Sequence, residues 1–200
     1  LRLIAGWAYY TSKLYQEEVA RREIGDDGPE LVMVNPSLLL GPGDVTMSSC
    51  EDVLRFMSKD VKVIPPGGLS FVDARDAALG LKLAMERGRD GERYLLGGPN
   101  WTFETFFGRL ERLTKIPGPK LRLPDKLYEW AGKSMESLYR RWGKEPAVDR
   151  VSIEMGRCFW YVDCSKAMRE LGFVSRDPGE TLYDTVAYLK DHYLGDRPFS

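Results

Sequence analysis

The sequence predicts an α/β fold in which a parallel sheet with covering helices is joined to a mostly helical second region. Two observations carry that prediction. LVMVN (31–35) and RYLLG (93–97) are continuous apolar runs bounded by turn residues, the pattern of strands covered on both faces. Between them FVD (71–73) leads into the helical pattern DAALGLKLAMERG (76–88), so strand, helix and strand follow one another as in a βαβ unit. A right-handed crossover through that helix would make LVMVN and RYLLG parallel neighbours.

The remaining elements follow from local signals. Good helix formers and the spacing of Leu14, Val19 and Ile24 predict a helix from Trp7 to Glu23, ended by the breaker Gly25-Asp26-Asp27-Gly28-Pro29. After LVMVN, PSLLLGPGD reads as a loop, 49–58 as a helix, Val61 to Ile64 as a short strand and 65–68 as a turn. Asp73 or Asp76 can cap the helix that stops at Gly88 with Arg87 in its last turn. Thr102 can cap FETFFGRLERLTK, Pro124 can open DKLYEWAGKSMESLYRRWG, and Ser165 starts SKAMRELGF. An amphipathic helix over 180–193 follows. The aromatic stripes on these helices, among them Phe106, Trp130 and Tyr139, read as core packing.

Composition narrows the functional classes. With 43% hydrophobic and 30% charged residues the chain is built to bury a core, which argues against disorder. Lys+Arg 29 against Asp+Glu 30 leaves a net charge of -1, so nothing electrostatic favours nucleic acid or an anionic membrane. The absence of a membrane-length apolar run and of a signal-peptide pattern makes a cytoplasmic location the expectation. Cys50, Cys158 and Cys164 are odd in number and poorly spaced for a disulfide framework or a zinc site, and His192 is the single histidine. A His-based triad or a multi-histidine metal centre is therefore excluded.

One pair of residues invites chemistry. In WAYYTSKLYQEE, Tyr9 and Lys13 stand four apart on the predicted first helix, so both project from one side and can act on one ligand. A cation beside a phenol favours the phenolate and tunes it for proton transfer. Two ordinary residues on a helix face would show the same spacing, and the spacing by itself leaves both readings open.

A wider pattern bears on that choice. YYTSK with its helix, then VMVNPSLLLGPGD, then GGLSFVDARDAALGLKLAMERGRDGERYLLGG, and last WYVDCSKAMRELGF with DPGETLYDTVAYL together resemble the extended short-chain dehydrogenase/reductase family. Within it the NAD-dependent epimerase/dehydratase and dihydroflavonol-reductase-like branch is the most similar. The resemblance covers nearly the whole chain in the right order, and of ten tyrosines it selects Tyr9.

The resemblance implies a doubly wound Rossmann sheet that binds NAD or NADP, with residues 1–48 and 71–99 forming its later part and residues 49–70 and 100–200 forming the substrate region. It implies that Tyr9 is the general acid/base, and that Lys13 holds the nicotinamide ribose hydroxyls and lowers the Tyr9 pKa. Pro36, Ser37, Leu38 and Leu39 resemble the turn lying along the nicotinamide, with Ser37 bonding to a carboxamide or a phosphate. The implied activity is hydride transfer between nicotinamide and a carbonyl/alcohol carbon. An apolar or aromatic carbonyl is preferred because of the aromatics and Met47, Met57 and Met135. A sugar-nucleotide epimerase is the alternative, with Arg75, Arg122, Arg140 and Arg141 as candidates for a diphosphate. A non-catalytic cofactor-sensing or scaffold protein is the alternative of another class. The partners implied are a small-molecule substrate and, as an assembly, a homodimer.

The family's glycine-rich pyrophosphate turn and its substrate-orienting Ser or Thr have no match, and GPGD and GGLS read only as turns. Since the chain opens directly on LRLIAGW and a helix, the expectation is a piece of a longer protein that is catalytically silent and poorly stable alone.

Overall fold

The structure is a computed structural model, and it describes residues 7–24, 28–122 and 150–195. The first helix, α1 (Ala8–Ile24), leads to β1 (Met33–Pro36) and directly to β2 (Leu38–Leu40). There follow α2 (Glu51–Met57), β3 (Val63–Ile64), β4 (Gly68–Asp73) and α3 (Ala74–Arg87). Next come β5 (Arg93–Leu96), β6 (Asn100–Thr102), α4 (Phe103–Thr114) and β7 (Leu121–Arg122). The last described part holds α5 (Arg150–Gly156), β8 (Phe159–Trp160), α6 (Ser165–Leu171) and α7 (Pro178–Leu189), which continues as a π-helical turn (Lys190–Leu194).

β1 and β5 pair in parallel, Met33 opposite Arg93 and Pro36 opposite Leu96, as the βαβ reading requires. β4 is the hub of a second sheet. It pairs in parallel with β2 along 71–73, antiparallel with β6 along 68–70, and in parallel with β8 at 68–69. Every residue of β4 is buried. Alternation sends its side chains into two cores. Leu69 and Phe71 join Phe56, Phe106, Leu110 and Leu182, whereas Val72 joins Ala77, Tyr94, Leu96, Leu171 and Phe173. Each such fully buried large apolar side chain contributes roughly 1.5–3 kcal/mol relative to exposure.

The strand enclosed on both faces is thus GLSFVD rather than LVMVN. In β1 Met33 is buried, Val34 and Asn35 are half-buried and Pro36 is exposed. The reason is that α1 meets this sheet through polar groups: Glu17 accepts from Asn35 Nδ2 at 3.1 Å and pairs with Arg93. In β5 burial alternates for the same reason, Tyr94 and Leu96 sealed and Leu95 38% exposed. Within PSLLL, Pro36 closes β1 and Leu38–Leu40 form β2 in place of the expected loop, because Leu38 and Leu40 find apolar cover where the partner changes from β5 to β4.

Helix ends agree with the sequence signals. Asp73 is the cap of α3, its carboxylate accepting from Arg75 N, and Thr102 caps α4 through Thr105 N. α7 starts earlier than expected because Asp177 accepts from Gly179 N and Glu180 N with Pro178 at the first turn. Gly68 belongs to β4 instead of the preceding turn. The helix expected after Pro124, with Trp130, Met135, Tyr139, Arg140 and Arg141, lies outside the described residues.

Candidate active site

α1 has no fully buried residue, and its start is fixed by an aromatic cluster. The Tyr10 ring stacks on Trp160 at 5.3 Å, Trp7 lies 5.6 Å from both, and Trp7 Nε1 donates to Glu154 Oε2 at 3.3 Å. Burial, with Tyr9 and Cys158 close by, pushes the Tyr10 hydroxyl above the usual tyrosine range, so Tyr10 is an anchor that stays protonated. Its neighbour turns outward.

Tyr9 is 66% exposed, and Lys13 Nζ stands 5.5 Å from its ring centroid. Gln16 Oε1 accepts one hydrogen bond from Lys13 Nζ at 3.1 Å, leaving that ammonium further donors for a ligand. The pair lies on the solvent side of α1 while Glu17, on the adjoining strip, grips Asn35 and Arg93. Pro36, exposed, ends β1. Ser37 N donates to Leu96 O at 2.8 Å, and the Ser37 hydroxyl is buried with no partner, as are Asn35 Oδ1 and Ser70 Oγ. Leu38 and Leu39 are half-buried in β2, their side chains against the two cores. The structure therefore joins Tyr9 to Lys13, and Pro36 to Leu39 as one strand step. An exposed phenol and ammonium side by side suit a polar ligand bearing hydroxyl groups.

At the carboxyl ends of β2 and β4 lies a charge network that no sequence signal announced. Arg75 donates to both Asp73 carboxylate oxygens, at 2.8 and 2.7 Å, and to Asp184 at 2.6 Å. Arg176 donates from its amide and guanidinium to Asp76, at 2.7, 3.0 and 2.8 Å. Burial pushes the Asp73 carboxyl up, but the Arg75 hydrogen bonds and the Arg176 charge outweigh it and hold Asp73 below the usual carboxylate range. Arg75 is thus engaged within the protein, and Arg122 pairs with Glu104 at 2.7 Å, so neither stands as an uncommitted diphosphate ligand. Met57 is sealed in a core and lines no ligand surface. Among the described residues no cluster of His, Cys, Asp and Glu suits a metal ion, and no helix is long and apolar enough to cross a membrane.

With this geometry in hand, known proteins place the chain. It is 32% identical over 193 residues to a Synechocystis sp. protein provisionally named a dihydroflavonol 4-reductase, an alignment covering 92% of this chain and 55% of that protein. The chain belongs to the extended short-chain dehydrogenase/reductase family. A second relative in this dehydrogenase/reductase family is sterol demethylase protein B of Methylococcus capsulatus, 31% identical over 82% of this chain and 51% of the relative. The solved structure of a nucleoside-diphosphate-sugar epimerase from Pseudomonas aeruginosa superposes with a TM-score of 0.73 at 27% identity, covering 96% of this chain and 58% of that one. The chain thus spans about half the length of the curated relatives it matches. No family model matches it.

Proposed function

We propose that the protein carrying this chain is an NAD(P)-dependent oxidoreductase acting on a small carbonyl/alcohol substrate, with Tyr9 as general acid/base and Lys13 beside it. The observation that carries the reading is the exposed Tyr9–Lys13 pair, with Lys13 Nζ 5.5 Å from the Tyr9 ring centroid, on the first helix of an extended short-chain dehydrogenase/reductase. The bound nicotinamide supplies or accepts the hydride. Tyr9 would give a proton to the carbonyl oxygen in reduction and take one from the alcohol in oxidation, and Lys13 would donate to ribose hydroxyls. Pro36, Ser37, Leu38 and Leu39 would hold the nicotinamide along the β1–β2 step. In the same proposal residues 1–48 and 71–99 belong to the cofactor domain, residues 49–70 and 100–200 bind substrate, and the protein acts in the cytoplasm as a homodimer.

The test replaces Tyr9 by Phe and Lys13 by Met in that protein and measures turnover alongside cofactor affinity. Tyr9→Phe is expected to lower kcat by about 10²-fold or more with cofactor affinity kept, and Lys13→Met to weaken both. Equal effects on the two quantities from both variants would make the pair structural. Unchanged turnover in both would favour a cofactor-sensing protein without catalysis. A sugar-nucleotide epimerase is the second reading, favoured by the likeness to the Pseudomonas aeruginosa epimerase and opposed by the engagement of Arg75 and Arg122 in ion pairs.

A further inference from the structure

The loop 41–50 leaves the carboxyl end of β2, and in open α/β sheets the carboxyl ends of the strands are where ligands bind. Its shape is costly to hold. Gly41 and Gly43 have φ of 125° and 98°, and Met47, which has a side chain, sits at φ 52°. A non-glycine residue in the left-handed region is retained where surrounding contacts over-determine it. From inside the loop the Asp44 carboxylate does part of this, accepting from the amides of Ser48, Ser49 and Cys50 at 3.1, 2.9 and 2.8 Å. Val45 meanwhile presents an apolar side chain that is 78% exposed.

The rest of the restraint comes from the far end of the sequence. α7 changes after Leu189 into a π-helical turn, closed by Gly195 N donating to Lys190 O at 3.0 Å. The extra residue in that turn swings the following side chains by about 100° relative to a continuous α-helix. Tyr193 is thereby brought onto the loop, its hydroxyl 3.2 Å from Asp44 O and 3.4 Å from Val45 O, with the Tyr188 ring edge-on to it at 6.2 Å. Nine residues earlier on the same helix, Asp184 holds Arg75 and through it Asp73, and Asp73 in turn lies under the loop, 3.4 Å from where a side chain on Gly41 would begin. One helix therefore grips both the base of the loop and its tip.

We propose that α7 and its π-helical turn strap the loop 41–50 over the substrate end of the sheet, and that Tyr193 is a positioning residue which sets Val45 against an apolar or aromatic carbonyl substrate. The proposal rests on the active-site reading above and adds to it the part of the chain that holds the substrate. Tyr193 touches no reacting group. It acts through the loop, so its loss is felt in substrate affinity before it is felt in chemistry.

The experiment compares Tyr193→Phe with wild type in the protein that carries this chain, by hydrogen–deuterium exchange and by steady-state kinetics with dihydroquercetin and cinnamaldehyde under NADPH or NADH. Removing the hydroxyl is expected to speed exchange about fivefold at residues 44–50 and leave β1 and β4 unchanged. The carbonyl KM should rise about fivefold while kcat and the cofactor KM stay within twofold. Unchanged exchange in the loop, an unchanged carbonyl KM, or a loss confined to kcat would each overturn the strap. Tyr9→Phe, run beside it, separates the two failures. If Tyr9→Phe removes turnover and Tyr193→Phe moves nothing, only the strap fails. If neither variant differs from wild type, or wild type turns over neither carbonyl, the reading beneath it fails and the substrate role of Tyr193 with it.

Discussion

Replacing Asp73 by Asn and by Ala measures what the buried charge network contributes, and the structure sets the size of each effect. The Asp73 side chain is fully buried, and it accepts three hydrogen bonds from Arg75, one of them from the amide it caps. Ala removes everything. Losing the cap costs about 1 kcal/mol, and losing charge-assisted bonds to the guanidinium costs about 1.5–3 kcal/mol more. Stranding a buried charge would add several kcal/mol, but that addition is absent here. Arg75 keeps Asp184 and is 40% exposed, and Arg176 keeps Asp76. The total expected for Asp73→Ala is therefore about 3 kcal/mol, and Asn, which still accepts from the Arg75 amide, should lose about 2 kcal/mol.

The pH dependence follows from the same contacts. Because the folded carboxyl is held below its unfolded value of about 3.8, its contribution is complete above that value and fades as pH falls through the folded pKa. Urea unfolding at pH 7 should separate wild type from Asp73→Asn, and the gap should close as the pH is lowered below about 3.8. If Asn and Ala were equally costly, the cap would be worth nothing. If the gap to Asn persisted undiminished at low pH, the charge would not be its source.

Further outcomes are expected elsewhere in the fold. Gly67→Ala should cost at least about 2 kcal/mol and lower Tm by several degrees, since the new carbon would begin 2.2 Å from Cys158 O and 2.7 Å from Gly156 O, both backbone atoms that β8 and α5 hold in place; an unchanged Tm would mean these segments move apart freely. Burial and the neighbouring Asp44 carboxylate push the Cys50 thiol up to about 12, so at pH 8 only roughly one molecule in ten thousand carries its thiolate. Native protein treated with a thiol-specific chromogenic disulfide should leave Cys50 unmodified until urea is added, and rapid labelling at Cys50 would show that the loop in front of it opens readily.

What the sequence displayed, and what it hid, divides by the range of the interactions involved. Asp73, Thr102 and Gly88 could be placed at helix ends because a cap is made within three or four residues of itself. The pairing of β1 with β5 was visible because a helix of the right length stood between two apolar runs. The burial of those runs was misjudged, since a run of apolar letters does not say whether the covering helix brings leucines or, as α1 does with Glu17, a carboxylate. The Arg176–Asp76 contact spans 100 residues, and Tyr193 meets Asp44 across 149. No local pattern carries such information. The same limit applies to the candidate site. Tyr9 and Lys13 were legible because four residues is one helical turn, whereas the groups that fix their helix, Trp160 stacked on Tyr10 and Glu154 beneath Trp7, lie some 150 residues away and pass for ordinary members of a helical tail. The pair proposed for proton transfer can thus be read from a short motif, but the precision with which its helix is held comes from contacts that only the folded chain assembles.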